Sequence, residues 1–289
     1  MEIIKTIILG IIEGITEWLP ISSTGHLILA DEFIKLNMSD AFKEMFNVVI
    51  QLGAILAVVV IFWKKLWPFT LDKTKGYSYI THKGGIVKKD IMDMWLKVIV
   101  AVLPAAVIGI PFDDFFEKHF HTPLVVSLAL IVYGVMFIVI ERWNKNVTPK
   151  INGIGDITYK TAIFIGAFQV LSLIPGTSRS GSTILGAIIL GVSRVAAAEF
   201  SFYLAVPVMF GASFIKLIKF GFDFTGYELL ILSVGMITAF LVSVLAIKFL
   251  MGYVKKRDFT VFGYYRIILG AVVIAYFLIN GRLFEVVGG

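Results

Sequence analysis

The 289-residue sequence contains no cysteine, and charged residues make up only 16% of it. Without cysteine, neither a disulfide framework nor a thiolate metal site can form. A soluble domain carries about 25% charged residues, so this chain lacks the polar surface that water requires. These two deficits exclude a disulfide-stabilised secreted domain, a zinc-thiolate protein and an ordinary soluble enzyme.

Apolar sequence dominates instead. Hydrophobic residues occupy 58% of the positions, and the mean hydropathy is +0.90. Several stretches are long enough to cross the ~30 Å hydrocarbon layer as helices. The sequence therefore predicts an all-α polytopic membrane protein that forms a single transmembrane domain over residues 1–289. Its six predicted spanning helices cover residues 43–63, 95–112, 123–140, 195–217, 228–250 and 261–279.

Two further apolar regions, 3–34 and 158–191, are interrupted by proline, glycine and clustered hydroxyl residues, which read ISSTG and PGTSRSGST. The pieces after the interruptions, 24–34 and 182–191, would form helices of about 15 Å, too short to cross a bilayer alone. Irregular backbone at membrane depth is tolerated where protein buries it or where it lines a watery cavity. We therefore expect two re-entrant helical hairpins.

The spacing of the two breaks indicates an internal repeat. They lie about 155 residues apart, with Pro20 opposite Pro175, and three spanning candidates follow each of them. This pattern predicts repeat one at about 1–145 and repeat two at about 150–289. Because each unit holds an odd number of spans, the second copy would be inverted relative to the first. Inverted repeats of membrane proteins share a site near the bilayer midplane.

Loop charges predict the orientation. Segments 64–97, 141–160 and 248–258 are rich in lysine and arginine, whereas segment 113–122 holds three acidic residues and only Lys118. The positive-inside rule then places the basic segments in the cytoplasm and both termini outside. The first hairpin would enter from the outer face and the second from the cytoplasm. The basic segments also explain the net charge of +6 without a nucleic-acid partner.

Glu13 and Glu17 lie four positions apart, on one face of the first predicted helix. An intramembrane carboxylate costs about 2.5–3.5 kcal/mol on insertion scales, and two adjacent carboxylates repel each other. The pair therefore needs a shared proton, a basic partner or a cation. One interpretation is that both face water near a helix end. The other is that they bind a hard divalent ion, Mg²⁺ or Ca²⁺.

Three hydroxyl residues, Ser22, Ser23 and Thr24, follow the first break. A helix N-cap needs only one hydroxyl. The cluster therefore favours an anion site, because a helix N-terminus offers free backbone N–H groups and partial positive charge to a phosphate. His26 follows within the first turn. It is either structural or a general acid, a general base or a nucleophile.

The second break supplies a cation. Arg179 has a planar guanidinium that matches phosphate oxygens. The alternative is an interface arginine that pairs with a lipid headgroup or with one of the glutamates. A glycine- and hydroxyl-rich loop that opens a helix instead predicts an anion cradle. The inverted repeat would bring this cradle to the acidic pair and His26, around a metal-bound diphosphate. Its predicted residues are Gly176, Thr177, Ser178, Arg179, Ser180, Ser182 and Thr183.

The two interrupted segments resemble the signature regions of the undecaprenyl-diphosphate phosphatases, the bacitracin-resistance family. The similar stretches are EGITEWLPISSTGH at 13–26, PGTSRSG at 175–181, NVVIQLGAILAVV at 47–59 and AAAEFSFYLAVP at 196–207. The resemblance implies a cytoplasmic-membrane enzyme that hydrolyses undecaprenyl diphosphate to the monophosphate. It thereby implies recycling of the carrier lipid for cell-wall synthesis and lowered sensitivity to bacitracin. It also implies a divalent cation and an active site at the outer face.

The resemblance places the family's motifs on Glu13 and Glu17, on Ser22, Ser23, Thr24 and His26, and on Ser178 and Arg179. Our hypothesis gives the glutamates the metal or a proton-transfer role. The nucleophile is either Ser23, activated by His26, or His26 itself. The rival interpretation is a transporter or flippase for a phosphorylated lipid, because broken helices in inverted repeats also occur in transporters. The sequence leaves the oligomeric state open, a homodimer included.

Overall fold

The computed structural model describes residues 1–72, 76, 85–221 and 223–285, except for the side chains at 113, 114 and 117. This part of the chain is helical apart from short turns and two isolated β-bridges, so the all-α prediction is confirmed. Its helices are α1 (Glu2–Thr16), α2 (Ser23–Phe33), α3 (Asp40–Ile61), α4 (Trp63–Leu66), α5 (Lys89–Phe120), α6 (Pro123–Trp143), α7 (Tyr159–Val170), α8 (Arg179–Ile189), α9 (Arg194–Phe220), α10 (Gly226–Val254) and α11 (Thr260–Ile279).

Within the described ranges, six helices are long and apolar enough to cross a membrane: α3, α5, α6, α9, α10 and α11. Each overlaps one predicted stretch, which confirms six candidate spans and a multi-pass membrane protein. Helix α5 continues to Phe120, so most of the segment predicted as an acidic loop is helical. Lys73, Lys75 and Lys83 of the first basic segment lie outside the described residues.

The two interrupted regions form pairs of short helices. Helices α1 and α2 contain 15 and 11 residues, and helices α7 and α8 contain 12 and 11. At a rise of 1.5 Å per residue, even α1 reaches only about 22 Å, less than the ~30 Å hydrocarbon layer. These lengths agree with re-entrant hairpins, which stay a prediction.

The second helix of each pair begins earlier than the sequence predicted, at Ser23 and at Arg179. The reason is the N-cap. The Ser22 hydroxyl accepts from the Gly25 N–H at 3.3 Å, and the Ser178 hydroxyl accepts from the Gly181 N–H at 3.2 Å. A side chain that binds an N–H three residues ahead starts the helix immediately after itself.

Ser22 and Ser178 also share an unusual backbone conformation. Their φ angles are 72° and 71°, and within the described residues no other non-glycine residue has a positive φ. Such a conformation costs on the order of 1–3 kcal/mol, and it persists only where the surroundings enforce it. The same strained cap at both breaks agrees with a duplicated unit. The inverted repeat itself stays a prediction.

Small residues let the long helices approach closely. A Cβ at Gly134 in α6 would lie 2.7 Å from the Gly263 carbonyl oxygen in α11, and the reverse substitution would meet Gly134 at the same distance. Gly10 and Gly14 in α1 similarly face α10. Glycine at helix interfaces is common in membrane bundles, where packing drives association. Helix α1 thus packs on α10, and α7 packs on α5. The two breaks come to lie side by side in the interior, joined by a hydrogen bond from Ser180 to the Glu17 carbonyl.

Candidate active site

Glu17 and Arg179 join the two breaks. Glu17 caps the C-terminus of α1, and Arg179 is the first residue of α8. Nη2 of Arg179 lies 3.0 Å from Oε1 of Glu17, and the two side chains are only 11% and 9% exposed. The structure therefore brings the acidic segment and the arginine segment into direct contact.

Glu17 has further partners from both breaks. The Ser23 hydroxyl donates to Oε2 of Glu17 at 3.3 Å, and the Ser180 hydroxyl donates to the Glu17 backbone carbonyl at 3.2 Å. A serine hydroxyl has a single hydrogen to donate. In this arrangement Ser23 therefore gives its hydrogen to Glu17, and not to His26 as the sequence hypothesis had it.

Helix α9 holds the other side of Arg179. Nη1 of Arg179 donates to the Ser201 carbonyl at 2.8 Å, and the Ser201 and Thr183 hydroxyls lie 2.7 Å apart. Nε of Arg179 is buried and has no hydrogen-bond partner among the described residues. The guanidinium is thus held by partners on two sides, while its Nε–H is left without one in the part of the chain that the structure describes.

Glu13 lies one helical turn before Glu17 and is fully buried. Both of its carboxylate oxygens lack a hydrogen-bond partner among the described residues. A buried carboxylate without a partner is costly, so it needs a proton or a cation. The described part of the chain contains no group of three or more His, Asp or Glu side chains placed to hold a metal ion. Two carboxylates with substrate oxygens are nevertheless enough for Mg²⁺.

His26 is partly exposed on the first turn of α2, and both of its ring nitrogens are occupied. Nδ1 lies 2.7 Å from the Ser22 carbonyl, and Nε2 lies 2.7 Å from the Tyr265 hydroxyl on α11. The imidazole and phenol rings are stacked, with centroids 5.5 Å apart and an interplanar angle of 9°.

Arg266 on α11 connects the backbones of both breaks. It is fully buried and donates to the carbonyls of Pro20 at 3.1 Å and of Gly176 and Thr177 at 2.8 Å each. Its guanidinium also lies over the Tyr133 ring, 5.4 Å from the centroid. These contacts satisfy carbonyls that the interrupted helices leave without helical partners.

The remaining predicted residues have different positions. Thr24 is partly exposed on the first turn of α2, and the Ser178 and Ser180 hydroxyls lie 3.1 Å apart. Ser182 is fully buried and donates to the Tyr133 hydroxyl at 3.4 Å, so it serves the contact with α6. Gly176 has a φ of 91°, which favours glycine. Residues 179–183 thus belong to α8, and the predicted loop is shorter than expected.

Three residues of this site were not predicted from the sequence: Ser201, Tyr265 and Arg266. Ser201 lies in the stretch at 196–207 that carried part of the resemblance, so a signal for it existed. Tyr265 and Arg266 lie in the uninterrupted last spanning helix; the charge of Arg266 in an apolar stretch was a signal for it, whereas no pattern marked Tyr265. Only the packing of α11 on α6 and α2 brings them to the site.

Comparison with known proteins gives the same family as the signatures. Residues 6–272 match the family model of the bacitracin resistance protein BacA. The undecaprenyl-diphosphatase of Enterococcus faecalis is 64% identical over 274 residues, which cover 95% of this chain and 96% of that protein. The undecaprenyl-diphosphatase of Desulfitobacterium hafniense is 60% identical over 278 residues, with 96% of each chain covered. That of Acetivibrio thermocellus is also 60% identical over 278 residues, with 96% of this chain and 98% of the relative covered.

The role of Arg266 can be tested by replacing its side chain. Arg266→Met keeps a long side chain but leaves the three buried carbonyls of the two breaks without their donor, at about 1–3 kcal/mol for each unsatisfied group. We expect a large drop in the thermal unfolding midpoint of the detergent-purified protein, measured by tryptophan fluorescence. The exposed Arg257 provides the matched control, and Arg257→Met should melt like the wild type. Equal midpoints for the two variants would contradict the role assigned to Arg266.

Proposed function

This chain belongs to the bacitracin resistance protein BacA family, and on that premise we propose that it hydrolyses undecaprenyl diphosphate to undecaprenyl phosphate and inorganic phosphate. It would thereby recycle the carrier lipid for cell-wall synthesis and lower sensitivity to bacitracin. The relatives of 60–64% identity carry the name undecaprenyl-diphosphatase, and they align with nearly the whole chain.

The observation that carries the proposal is the contact between Glu17 and Arg179. It unites an acidic helix end with a guanidinium at the start of another helix. A guanidinium together with helix N-termini is the usual protein partner of a phosphate group. The two second helices, α2 and α8, both begin at this point. The site therefore suits an anion with several oxygens, such as a diphosphate.

The burial pattern supports a lipid substrate. Glu13, Glu17 and Ser180 form a buried floor, whereas Ser23 and His26 are partly exposed at the rim. A diphosphate could reach this rim while its hydrocarbon chain stays among the lipids that surround the apolar helices. We propose that the protein lies in the cytoplasmic membrane and that the site opens to its outer face, as the loop charges predict.

The first chemical step uses Ser23 as the nucleophile. Its oxygen forms a bond to the terminal phosphorus, while its hydrogen passes to Oε2 of Glu17, the atom that it contacts in the structure. The bond between that phosphorus and the bridging oxygen breaks, and undecaprenyl phosphate leaves with the electron pair. Arg179 stabilises the charge that develops on the phosphoryl oxygens. Nucleophilic catalysis of this kind needs a base beside the hydroxyl.

The second step releases phosphate from Ser23. Water attacks the phosphoserine and gives one hydrogen to Nε2 of His26, which for this step gives up its hydrogen bond with the Tyr265 hydroxyl. The bond between phosphorus and the serine oxygen breaks, and Glu17 returns the hydrogen that it took. Atoms and charges balance over the two steps, with water consumed and hydrogen phosphate released. His26 then gives its extra proton to solvent.

A divalent metal, Mg²⁺ or Ca²⁺, fits the buried carboxylates. Glu13 offers two oxygens without partners among the described residues, and Glu17 lies one helical turn away. These residues would hold the ion together with phosphate oxygens of the substrate. A bound ion would supply charge neutralisation for the leaving phosphate.

Phosphate release from a polyprenyl diphosphate by the detergent-purified protein tests the proposal. We expect Glu17→Gln and Arg179→Lys to lower kcat/KM by about 100-fold or more. Glu17→Gln removes the carboxylate charge, and Arg179→Lys removes the planar guanidinium, both of which the transition state needs. The exposed Arg142 supplies the control Arg142→Lys, which should turn over like the wild type. A folded wild type that releases no phosphate but moves a labelled phospholipid across proteoliposomes would instead identify the transporter alternative.

The identity of the nucleophile can be read from the covalent intermediate. If Ser23 attacks, Ser23→Ala loses turnover, and His26→Asn accumulates a phosphoenzyme because water lacks its base. Terminally ³²P-labelled substrate would leave an acid-stable label on His26→Asn, as expected for phosphoserine. An acid-labile label on Ser23→Ala that keeps full turnover would show that His26 is the nucleophile.

The metal can be tested separately. Chelation with EDTA should stop phosphate release, and Mg²⁺ or Ca²⁺ should restore it. Glu13→Gln removes one ligand charge, so we expect the metal concentration for half-maximal rate to rise by about tenfold or more. The same titration with Arg142→Lys should follow the wild type. Full activity of the wild type after exhaustive chelation would exclude the metal role.

A further inference from the structure

A cavity of about 250 Å³ lies between the loop that follows α6 and the turn that joins α8 to α9. Lys145 and Val147 line it from the loop, and Ser193 and Arg194 line it from the turn. It meets α8 at its C-terminal end, whereas Arg179 begins that helix. The cavity is therefore separate from the candidate active site and lies at the end of the bundle that carries the basic segments.

Hydrogen bonds hold the loop and the turn together. The Ile151 N–H donates to the Gly191 carbonyl at 3.1 Å, and the Ser193 N–H donates to the Ile151 carbonyl at 2.8 Å. The Ser193 hydroxyl donates to the Asn152 carbonyl at 3.2 Å. Because these contacts fix one wall of the cavity to the other, the space between them belongs to the folded structure.

Two cationic side chains line this cavity, and none of its lining residues in the described part of the chain is acidic. Lys145 is exposed and has no ion-pair partner among the described residues. Arg194 donates from Nε and Nη2 to the buried carboxylate of Glu141, which leaves its Nη1 without a hydrogen-bond partner in the same ranges. Since Glu141 offsets the charge of Arg194, Lys145 supplies the uncompensated positive charge at the cavity.

The first turn of α9 adds backbone donors. Ser193 caps this helix by accepting from the Ala196 N–H at 3.4 Å. The N–H groups of Arg194 and Val195, two further residues of the cavity wall, have no partner among the described residues. Free N–H groups at a helix start favour an anion. They reinforce the two cationic side chains, so an anionic group in the cavity has donors from both side chains and backbone.

The remaining walls are largely apolar and include Val147, Ile188 and Val254. Pockets that enclose a whole small ligand measure ~300–1,000 Å³, so this smaller cavity suits one anionic group whose remainder lies outside it. An amphiphile with an anionic headgroup has that form, because its hydrocarbon part can stay among the lipids.

The charge of the surrounding loops favours the same ligand. Val254 is followed by Lys255, Lys256 and Arg257, against which stands only Asp258. Polybasic segments next to transmembrane helices attract anionic lipids, and basic pockets between such helices bind their headgroups. We propose that this cavity binds the headgroup phosphate of an anionic phospholipid, which Lys145 and Arg194 hold. This inference does not rest on the proposed function.

Native mass spectrometry of the detergent-purified protein tests the site, because it counts bound lipids and identifies them by mass. We expect the wild type to bind one phosphatidylglycerol more tightly than phosphatidylcholine with the same acyl chains, since the choline headgroup has no net charge. Lys145→Gln removes the free cation and should weaken phosphatidylglycerol binding about fivefold, the effect of one lysine near a membrane surface. Val147→Trp fills the cavity without changing its charge and should weaken binding at least as much.

The chain offers a matched control in the same basic segment. Lys160 is exposed and does not line the cavity, so Lys160→Gln should bind phosphatidylglycerol like the wild type. Lys145 is also exposed, and Val147 is 53% exposed, so all three variants should fold and show the thermal unfolding midpoint of the wild type.

A final arm adds inorganic phosphate, which offers the same oxygens as a headgroup. Failure of phosphate to displace phosphatidylglycerol at equal concentration supports the lipid as the ligand. Displacement by phosphate, with no preference for phosphatidylglycerol over phosphatidylcholine, overturns the lipid assignment. Equal binding of phosphatidylglycerol by the wild type, Lys145→Gln and Val147→Trp overturns the site itself. An equal loss in Lys160→Gln does so too, because it would show a general effect of surface charge.

Discussion

A helix that stops inside an apolar interior leaves backbone carbonyl and N–H groups without partners, and a membrane supplies no water to bind them. The carbonyls of both breaks depend on Arg266, which donates to Pro20, Gly176 and Thr177 from one buried guanidinium. The N–H groups have different partners, since the hydroxyl of a serine N-cap accepts a hydrogen bond from one of them at each helix start. Because the carbonyls are already paired, what the breaks offer to a substrate is the N–H ends of two helices, which suit an anion.

The buried ion pair of Glu17 and Arg179 is better explained by function than by stability. Desolvation of two charges often offsets their attraction, so such a pair is weak evidence for a stabilising interaction. Stability explains the burial of Glu13 even less well, because its buried oxygens have no partner in the described part of the chain. Ionisable groups buried at this cost in an apolar interior are candidates for a functional site. The helices that hold these groups are packed in the interior, α1 against α10 and α8 against α9.

The two breaks share a backbone arrangement but differ in their side chains. Each break has a strained serine cap and a glycine three residues later. The first helical residue is Ser23 in one half and Arg179 in the other. At the same spacing, Glu13 corresponds to Gln169, another buried side chain without a hydrogen-bond partner among the described residues. One break thus contributes Ser23 next to the two glutamates, while the other contributes Arg179, and the two meet at the Glu17–Arg179 contact.

Local sequence determined the helical spans of this protein and the position of its two breaks. Apolar stretches set six candidate spans, because a segment that must satisfy its backbone in lipid has to be helical over its length. Proline, glycine and hydroxyl clusters marked both breaks, and the unusual position of Glu17 and Arg179 in apolar sequence predicted the contact that the structure shows between them. Only the tertiary structure decided that Ser23 contacts Glu17 while His26 turns to Tyr265. It alone also placed Ser201, Tyr265 and Arg266 against the two breaks, because these partners come from helices far away in the chain, and no local pattern encodes which side chains packing will place against each other.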